Sequence, residues 1–175
     1  DQLCKQLNLP LNQPIKEFST GMLAKIKVIT ALTHQAQILV LDEPTSGLDV
    51  SARYVILDLL QDYLDRFPNT SVLISSHISD DLEHLCDKLY FLKKGQVVLS
   101  EETDALLGTY GLIKGNQVDL EKVPNKFQLS YRQTPYGFEV LTNQKNFVEE
   151  NYPDLVVEKI TIDQLLLMIT EGEER

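Results

Sequence analysis

Several features that often decide the class of a protein are scarce in this sequence of 175 residues. Only two cysteines occur, Cys4 and Cys86, and they lack CxxC spacing, so we expect reduced thiols and a cytosolic setting. No apolar run approaches the roughly 18 residues that a membrane-spanning helix needs. The formal net charge of −10 leaves no basic face for nucleic acid. These shortages argue against a disulfide-rich secreted domain, a membrane-embedded chain and a nucleic-acid binder.

Two further absences concern the start of the chain and a phosphate-binding pattern. The first residue is Asp1 rather than Met. The pattern GxxxxGKS or GxxxxGKT does not occur, because Gly108, Gly111 and Gly115 lack a lysine and a hydroxyl at the required spacing. We therefore expect the chain to be the C-terminal part of a longer protein, without a phosphate-binding loop of its own.

The chain does contain a regular alternation of amphipathic segments and short apolar runs. Apolar residues recur at helical spacing after Ser19 and after Ser51, whereas residues 38–41 and 71–75 predict strands. The run at 38–41 is apolar throughout, so we expect this strand to be covered on both faces. Strands alternating with helices predict a parallel α/β sheet.

The second half of the sequence predicts further helices and strands. A helix at 79–86 has acids in its first turn, where they suit the helix dipole, and Lys94-Gly95 predicts a tight turn between strands 89–92 and 96–99. A helix at 103–110 should end at Gly111. After residue 115 the pattern predicts a hairpin about 134–137, a helix at 144–151, a strand at 155–159 and a helix at 162–170. We expect one domain at 1–115 and a small α+β accessory domain, β-β-α-β-α, at 116–175.

Two adjacent carboxylates, Asp42 and Glu43, follow the apolar run at 38–41. A strand delivers such residues to its carboxyl end, which is where open α/β sheets bind ligands. Asp42 is suited there to hold Mg²⁺, directly or through water, and Glu43 to orient and deprotonate a water that attacks a phosphate. Two acids alone also begin many solvated turns, so the neighbouring residues must decide between these interpretations.

The neighbouring residues match a known arrangement. Segment 41–49 reads Leu-Asp-Glu-Pro-Thr-Ser-Gly-Leu-Asp, segment 18–22 reads Phe-Ser-Thr-Gly-Met, and His77 follows the strand predicted at 71–75. Segment 18–22 resembles the signature motif of the ABC ATPase family, segment 41–49 resembles its Walker B motif and D-loop, and His77 matches its switch histidine. The resemblance covers residues 1–115 and implies part of a P-loop NTPase fold with a helical signature segment.

The resemblance implies a role for each matching residue. Asp42 would coordinate Mg²⁺, Glu43 would be the general base, and His77 would contact the γ-phosphate of ATP. Asp49 would link the two halves of a head-to-tail dimer at the nucleotide. Ser19, Thr20, Gly21 and Met22 would meet the nucleotide held by the other subunit, since amides at a helix N-terminus bind anions and Gly21 has no side chain in the way.

The resemblance also implies a function and partners. The longer protein would be the ATP-hydrolysing motor subunit of an ABC transporter, paired with a second ABC ATPase subunit and bound to a separate membrane permease. It would lie in the cytoplasm, peripheral on the inner face of the cell membrane, and it would not bind nucleic acid. Thr20 and Met22 depart from the usual glycine and glutamine, and this form of the signature resembles that of bacterial exporters.

Two other classes of protein share parts of these motifs. A chromosome-maintenance or DNA-repair ATPase would carry long heptad segments, and a translation factor of the ABC class would carry a second nucleotide-binding domain and a basic surface. The sequence has no long heptads and is acidic, which argues against DNA contact. The residues before Asp1 would discriminate among the three, and nothing in the chain names a transported substrate.

Overall fold

The computed structural model describes residues 2–174, apart from the side chains of Gln2, Gln6 and Glu174. The chain divides into two compact units, Asp1–Leu85 and Cys86–Arg175. The boundary that we drew after residue 115 from the sequence remains a prediction about domains. Within the described range, no helix combines the length and the apolar character that a bilayer-spanning segment requires. Neither Cys4 nor Cys86 takes part in a disulfide bond in the described residues.

The first unit is built around a pair of parallel strands and the helices that cover one side of it. Strands β1 and β2 pair in parallel from Ile38 opposite Ser71 to Asp42 opposite Ser75. The elements of this unit are, in chain order, α1 (Gln2–Gln6), a 3-10 turn (Ile15–Glu17), α2 (Thr20–Thr33), β1 (Ile38–Asp42), α3 (Val50–Arg66), β2 (Ser71–Ser75) and α4 (Ser79–Leu85).

Capping residues set the starts of the two long helices. The Ser19 hydroxyl accepts a hydrogen bond from the Met22 amide at 3.3 Å, which confirms Ser19 as the N-cap predicted for α2. Asp49 caps α3 in the same way. The buried core of the unit comes from α2, β1 and α3, with α2 and α4 both packed on α3: Val28, Ile29, Leu32, Leu39, Ile56, Leu57, Leu59 and Leu60.

The expectation that the first strand is covered on both faces was wrong. Leu39 is buried, but Ile38 is 69% exposed and Val40 is 70% exposed. Leu73 of the partner strand is also exposed. Successive side chains of a strand point to opposite faces, so only one face of the β1–β2 pair lies against the core. Apolar side chains on both faces of β1 favour burial, but the described residues cover only one of the two faces.

The second unit contains a hairpin and a larger antiparallel sheet. Strands β3 and β4 form the hairpin, which confirms the tight turn predicted at Lys94-Gly95, and both turn residues have positive φ. The other strands form a five-stranded sheet in the order β8-β5-β7-β6-β9. The elements are β3 (Lys88–Lys93), β4 (Gln96–Glu102), α5 (Thr103–Thr109), β5 (Gly111–Gly115), α6 (Gln117–Leu120), a 3-10 turn (Asn125–Phe127), β6 (Ser130–Thr134), β7 (Gly137–Thr142), α7 (Lys145–Asn151), β8 (Val156–Lys159), α8 (Ile162–Glu171) and β9 (Glu173–Glu174).

Strand β5 was missing from the sequence interpretation. The chain leaves α5 and enters this strand at Gly111, where the sequence predicted only the end of a helix. Glycine at both ends weakened the strand pattern, because glycine packs nothing and lowers strand preference. In the structure β5 lies between β7 and β8, and the backbone of the β6–β7 hairpin comes close to Gly115 at its end.

Substitution of Gly137 tests this close approach. Its φ is +145°, and a Cβ there would collide with the carbonyl oxygen of Gly115. We expect Gly137→Ala to lower the free energy of unfolding by about 1–3 kcal/mol, as overpacking does. Gly108, exposed in α5 with open space around it, is the matched control: Gly108→Ala should raise that free energy by about 0.5–1 kcal/mol. Urea denaturation measures both, and equal effects of the two substitutions would contradict the close contact.

Candidate functional site

The carboxyl ends of β1 and β2 form one edge of the parallel pair, where several of the residues singled out from the sequence meet. Asp42 lies opposite Ser75 in the strand register. The Glu43 amide, one residue further on, donates to the carbonyl oxygen and to the hydroxyl of Ser75, each at 3.1 Å. Backbone pairing of the two strands therefore extends into the loop that carries Glu43.

Ser75 also holds the neighbouring carboxylate. Its hydroxyl donates to Oδ1 of Asp42 at 2.5 Å, which orients the Asp42 side chain at the edge of the sheet. In the described part of the chain, no cluster of three or more His, Cys, Asp or Glu side chains could hold a metal ion. The single carboxylate of Asp42 suits Mg²⁺ only where phosphates and waters supply the remaining ligands, which is the usual manner of binding for this ion.

Glu43 and His77 form a hydrogen-bonded pair beside Asp42. Nδ1 of His77 lies 2.7 Å from Oε2 of Glu43, and the side chains are 68% and 34% exposed respectively. Because a carboxylate only accepts, Nδ1 carries the proton and donates it to this bond. The bond occupies one oxygen of Glu43 and leaves Oε1 as the atom that can approach a water. Nε2 of His77 is left as the ring atom that can meet a ligand.

The backbone of Glu43 is unusual for a residue with a side chain. Its φ of 46° places it in the left-handed region, which non-glycine residues occupy at a cost of about 1–3 kcal/mol when their surroundings hold them there. Ser75 holds the Glu43 amide, and the Glu43 carbonyl accepts from the Ser46 amide at 3.2 Å. Such strain is common at functional sites, where it presents a side chain in one direction.

The signature segment lies against the D-loop of the same chain. A Cβ built at Gly21 would lie 3.5 Å from Cδ2 of Leu48, and one built at Gly47 would lie 3.5 Å from Cγ2 of Thr20. The first intrahelical bond of α2 runs from Leu23 to Ser19, so the amides of Thr20 and Gly21 precede it. The Met22 amide is already taken by Ser19. The residues available for an anion at this helix start are therefore Thr20 and Gly21.

Asp49 has a structural contact that the sequence did not indicate. Its Oδ1 accepts from the Ala52 amide at 2.9 Å and thereby caps α3. The position that the family resemblance assigned to a dimer contact thus also fixes the start of the helix that follows the D-loop.

A buried polar network behind the site was missed from the sequence. Asp81 is fully buried, accepts a hydrogen bond from the Thr45 hydroxyl, and pairs with Arg53 at 2.6 Å. From the sequence, the helix dipole alone explains the acids in the first turn of α4. No pattern in the sequence indicated the network, because its three residues are far apart along the chain.

Comparisons with known proteins show which proteins this chain resembles. A family model described as an AAA domain, putative AbiEii toxin of a type IV toxin–antitoxin system, matches residues 11–79. A lantibiotic transport ATP-binding protein of Streptococcus pyogenes is 32% identical over 110 residues, which are 63% of this chain and 47% of that protein. A Nod factor export ATP-binding protein of Rhizobium johnstonii is 34% identical over 102 residues, 58% of this chain and 32% of that protein.

A solved structure of similar fold belongs to the same class of protein as these relatives. The ATP-binding subunit of an ABC transporter superposes with a TM-score of 0.54 at 26% identity, covering 60% of this chain and 44% of that one. Over about 60% of its length the chain has the fold of ABC ATPases, which are P-loop NTPases. More particularly, its curated homologues are ATP-binding proteins of ABC transporters. The chain spans about half, or less, of the length of these relatives.

Proposed function

We propose that this chain carries the hydrolytic and signature segments of the ATP-hydrolysing motor subunit of an ABC transporter. The observation that carries the proposal is the 2.7 Å contact between Glu43 and His77 at the edge of the parallel pair, beside Asp42. The names of two relatives, a lantibiotic transport and a Nod factor export ATP-binding protein, support ATP as the nucleotide and a transporter as the setting.

The roles of the acidic residues follow from their positions. Glu43 is the general base, because His77 holds Oε2 and leaves Oε1 for a water, and the side chain is 34% exposed. Bound Mg²⁺ would neutralise charge on the phosphates during transfer. Asp42 would hold that ion through the carboxylate that Ser75 orients.

His77 has two tasks in this proposal. Its Nδ1 orients Glu43, and its Nε2 faces the terminal phosphate. For Nε2 to donate to a phosphate oxygen while Nδ1 donates to Glu43, the ring has to carry both protons, as imidazolium does. His77 would then stabilise negative charge where it develops.

The signature segment acts on a nucleotide held by a second subunit. The amides of Thr20 and Gly21 at the start of α2, beside Ser19 and Met22, form the anion-binding wall, and the D-loop that ends in Asp49 lies against this wall in the same chain. The protein works as a head-to-tail dimer and binds a separate membrane permease from the cytoplasmic side.

Transport is directed outward in this proposal. The names of two relatives concern lantibiotic transport and Nod factor export, and the form of segment 18–22 resembles that of exporters. Uptake of substrate by inside-out vesicles that contain the complete transporter would test the direction, and ATP-driven loss of substrate from such vesicles would contradict it.

The general base is tested by Glu43→Gln in the ATPase that contains this chain. Removing a general base should lower kcat by roughly 10² to 10⁴, while ATP binding persists because no phosphate contact is lost. Phosphate release and retained nucleotide give the two readouts. Asp58→Asn is the matched control, because Asp58 also lies near a histidine, His84 at 3.9 Å, but away from the sheet edge. Turnover at the wild-type rate in Glu43→Gln would remove Glu43 from this role.

The signature is tested by a charge placed at Gly21. Gly21→Asp should block dimer closure and cost about 10² or more in rate, while ATP still binds the mutated subunit. A Cβ at Gly21 makes only an ordinary contact with Leu48, so the subunit should still fold. The rate falls because the new side chain and its negative charge keep the phosphate away from the backbone amides. Gly21→Asn introduces a side chain of equal size without the charge and should lower the rate of hydrolysis less. Gly108→Asp should leave that rate unchanged. Loss of ATP binding by an isolated Gly21→Asp subunit would mean that the segment acts within its own subunit.

The chain of residues 1–175 by itself should neither bind ATP tightly nor hydrolyse it. It has no phosphate-binding loop with its lysine, and the site described above supplies a base and one metal ligand but no cradle for the phosphates. Isothermal titration calorimetry with MgATP should give no low-micromolar binding. A low-micromolar dissociation constant would show that other residues bind the phosphates.

A further inference from the structure

We propose that Asp81 is the positioning residue of the Glu43–His77 pair. Asp81 lies in α4, the helix that follows His77, and accepts a hydrogen bond from Thr45 in the turn that follows Glu43. This bond fixes the position of the turn relative to α4. The inference rests on the proposed function for the importance of the pair, but the geometry stands on hydrogen bonds in the chain itself. None of the motifs singled out from the sequence includes Asp81.

Asp81 joins three segments inside the first unit. Oδ2 accepts from the Thr45 hydroxyl, and Oδ1 accepts from Nε of Arg53 at 3.1 Å and from Nη2 of Arg53 at 2.6 Å. Thr45 lies in the turn between Glu43 and the D-loop, and Arg53 lies in the first turns of α3. Asp81 itself lies in α4, which begins just after His77.

The network is buried and both oxygens of Asp81 accept hydrogen bonds, which gives it the rigidity that a positioning role requires. Thr45 and the Asp81 side chain have no exposed surface, and the side chain of Arg53 is 15% exposed. A charged carboxylate is held in such a place only when its oxygens are paired. Because both oxygens are paired here with residues from different segments, the segments cannot shift independently without leaving a charge unpaired.

The residues of the pair are themselves held weakly from other directions. The His77 side chain is 68% exposed, and the structure holds it through the hydrogen bond to Glu43. Glu43 occupies a left-handed conformation that its surroundings have to hold. Ser75 holds it on the N-terminal side through the Glu43 amide, and Thr45, bonded to Asp81, holds it on the C-terminal side. The amide of Asp81 also closes the turn after His77 by donating to the carbonyl of Ile78 at 3.1 Å.

Thr45→Val tests the proposal because valine keeps the shape of threonine and removes the hydroxyl. The readout is the protonated nitrogen of the His77 ring, which a long-range ¹H–¹⁵N spectrum of the labelled chain reports at about pH 8.5, above the ordinary pKa of histidine. In the wild-type chain His77 should be in the Nδ1–H form, bonded to Glu43. In Thr45→Val this form should fall to a minor fraction, and Thr45→Ser, which restores a hydroxyl, should return it.

Internal and external controls separate positioning from stability. His34, whose Nδ1 lies 2.6 Å from the carbonyl of Thr30, gives a reference signal in the same spectrum. Ile56→Val lowers the melting temperature through the core and should leave the His77 signal unchanged. If Thr45→Val does not fold, Asp81→Asn, which keeps the shape and removes the charge that faces Arg53, replaces it. An unchanged His77 signal in a folded Thr45→Val or Asp81→Asn chain would overturn the proposal.

A kinetic arm distinguishes this proposal from the function on which it rests. In the ATPase that contains the chain, Thr45→Val should lower kcat by up to about 10²-fold with little change in KM, as a small misplacement of the base does. Normal turnover in Thr45→Val together with a large loss in Glu43→Gln would overturn the positioning role alone. Normal turnover in Glu43→Gln would overturn the proposed function, and the His77 spectrum would still decide the geometry.

Discussion

The parallel pairing of β1 with β2 is the constraint on which the site depends. Parallel strands leave the sheet at the same edge, so the loops after Asp42 and after Ser75 emerge side by side. The register sets which side chains meet there, because a slip by one residue would turn every side chain to the other face. With Asp42 opposite Ser75, the Ser75 hydroxyl donates to the Asp42 carboxylate and accepts a hydrogen bond from the Glu43 amide. The 2.7 Å contact between Glu43 and His77 follows from that pairing.

The two sides of the parallel pair differ in a way that strand composition alone does not explain. Parallel strands usually lie inside a sheet that is covered on both faces, and the apolar residues of β1 fit that situation. Ile38 and Val40 are nevertheless exposed here, as is Leu73. An alternating pattern of buried and exposed positions along β1 therefore reflects the cover that the described residues provide, and not the preference of the side chains.

Both units have an apolar core, and the first unit adds a buried charged network to it. The first unit buries a charged network between a turn and two helices, which costs desolvation but fixes the relation among three segments. The second unit has an apolar core formed by residues from β5, β6, β7 and the segments around them, including Ile113, Tyr131, Phe138 and Val140. None of the residues assigned to the site from the sequence lies in the second unit.

Local features of the protein followed from the sequence by itself. Ser19 as a helix cap, the Lys94-Gly95 turn and the strand at 71–75 depend on residues a few positions apart, and so their patterns are visible in the chain. Only the tertiary structure decided that β5 joins the second sheet, that Ser75 bridges Asp42 and Glu43, and that Asp81 is buried against Thr45 and Arg53. Each of these depends on a contact between residues far apart along the chain, and neither periodicity nor composition encodes which distant residue will be the partner.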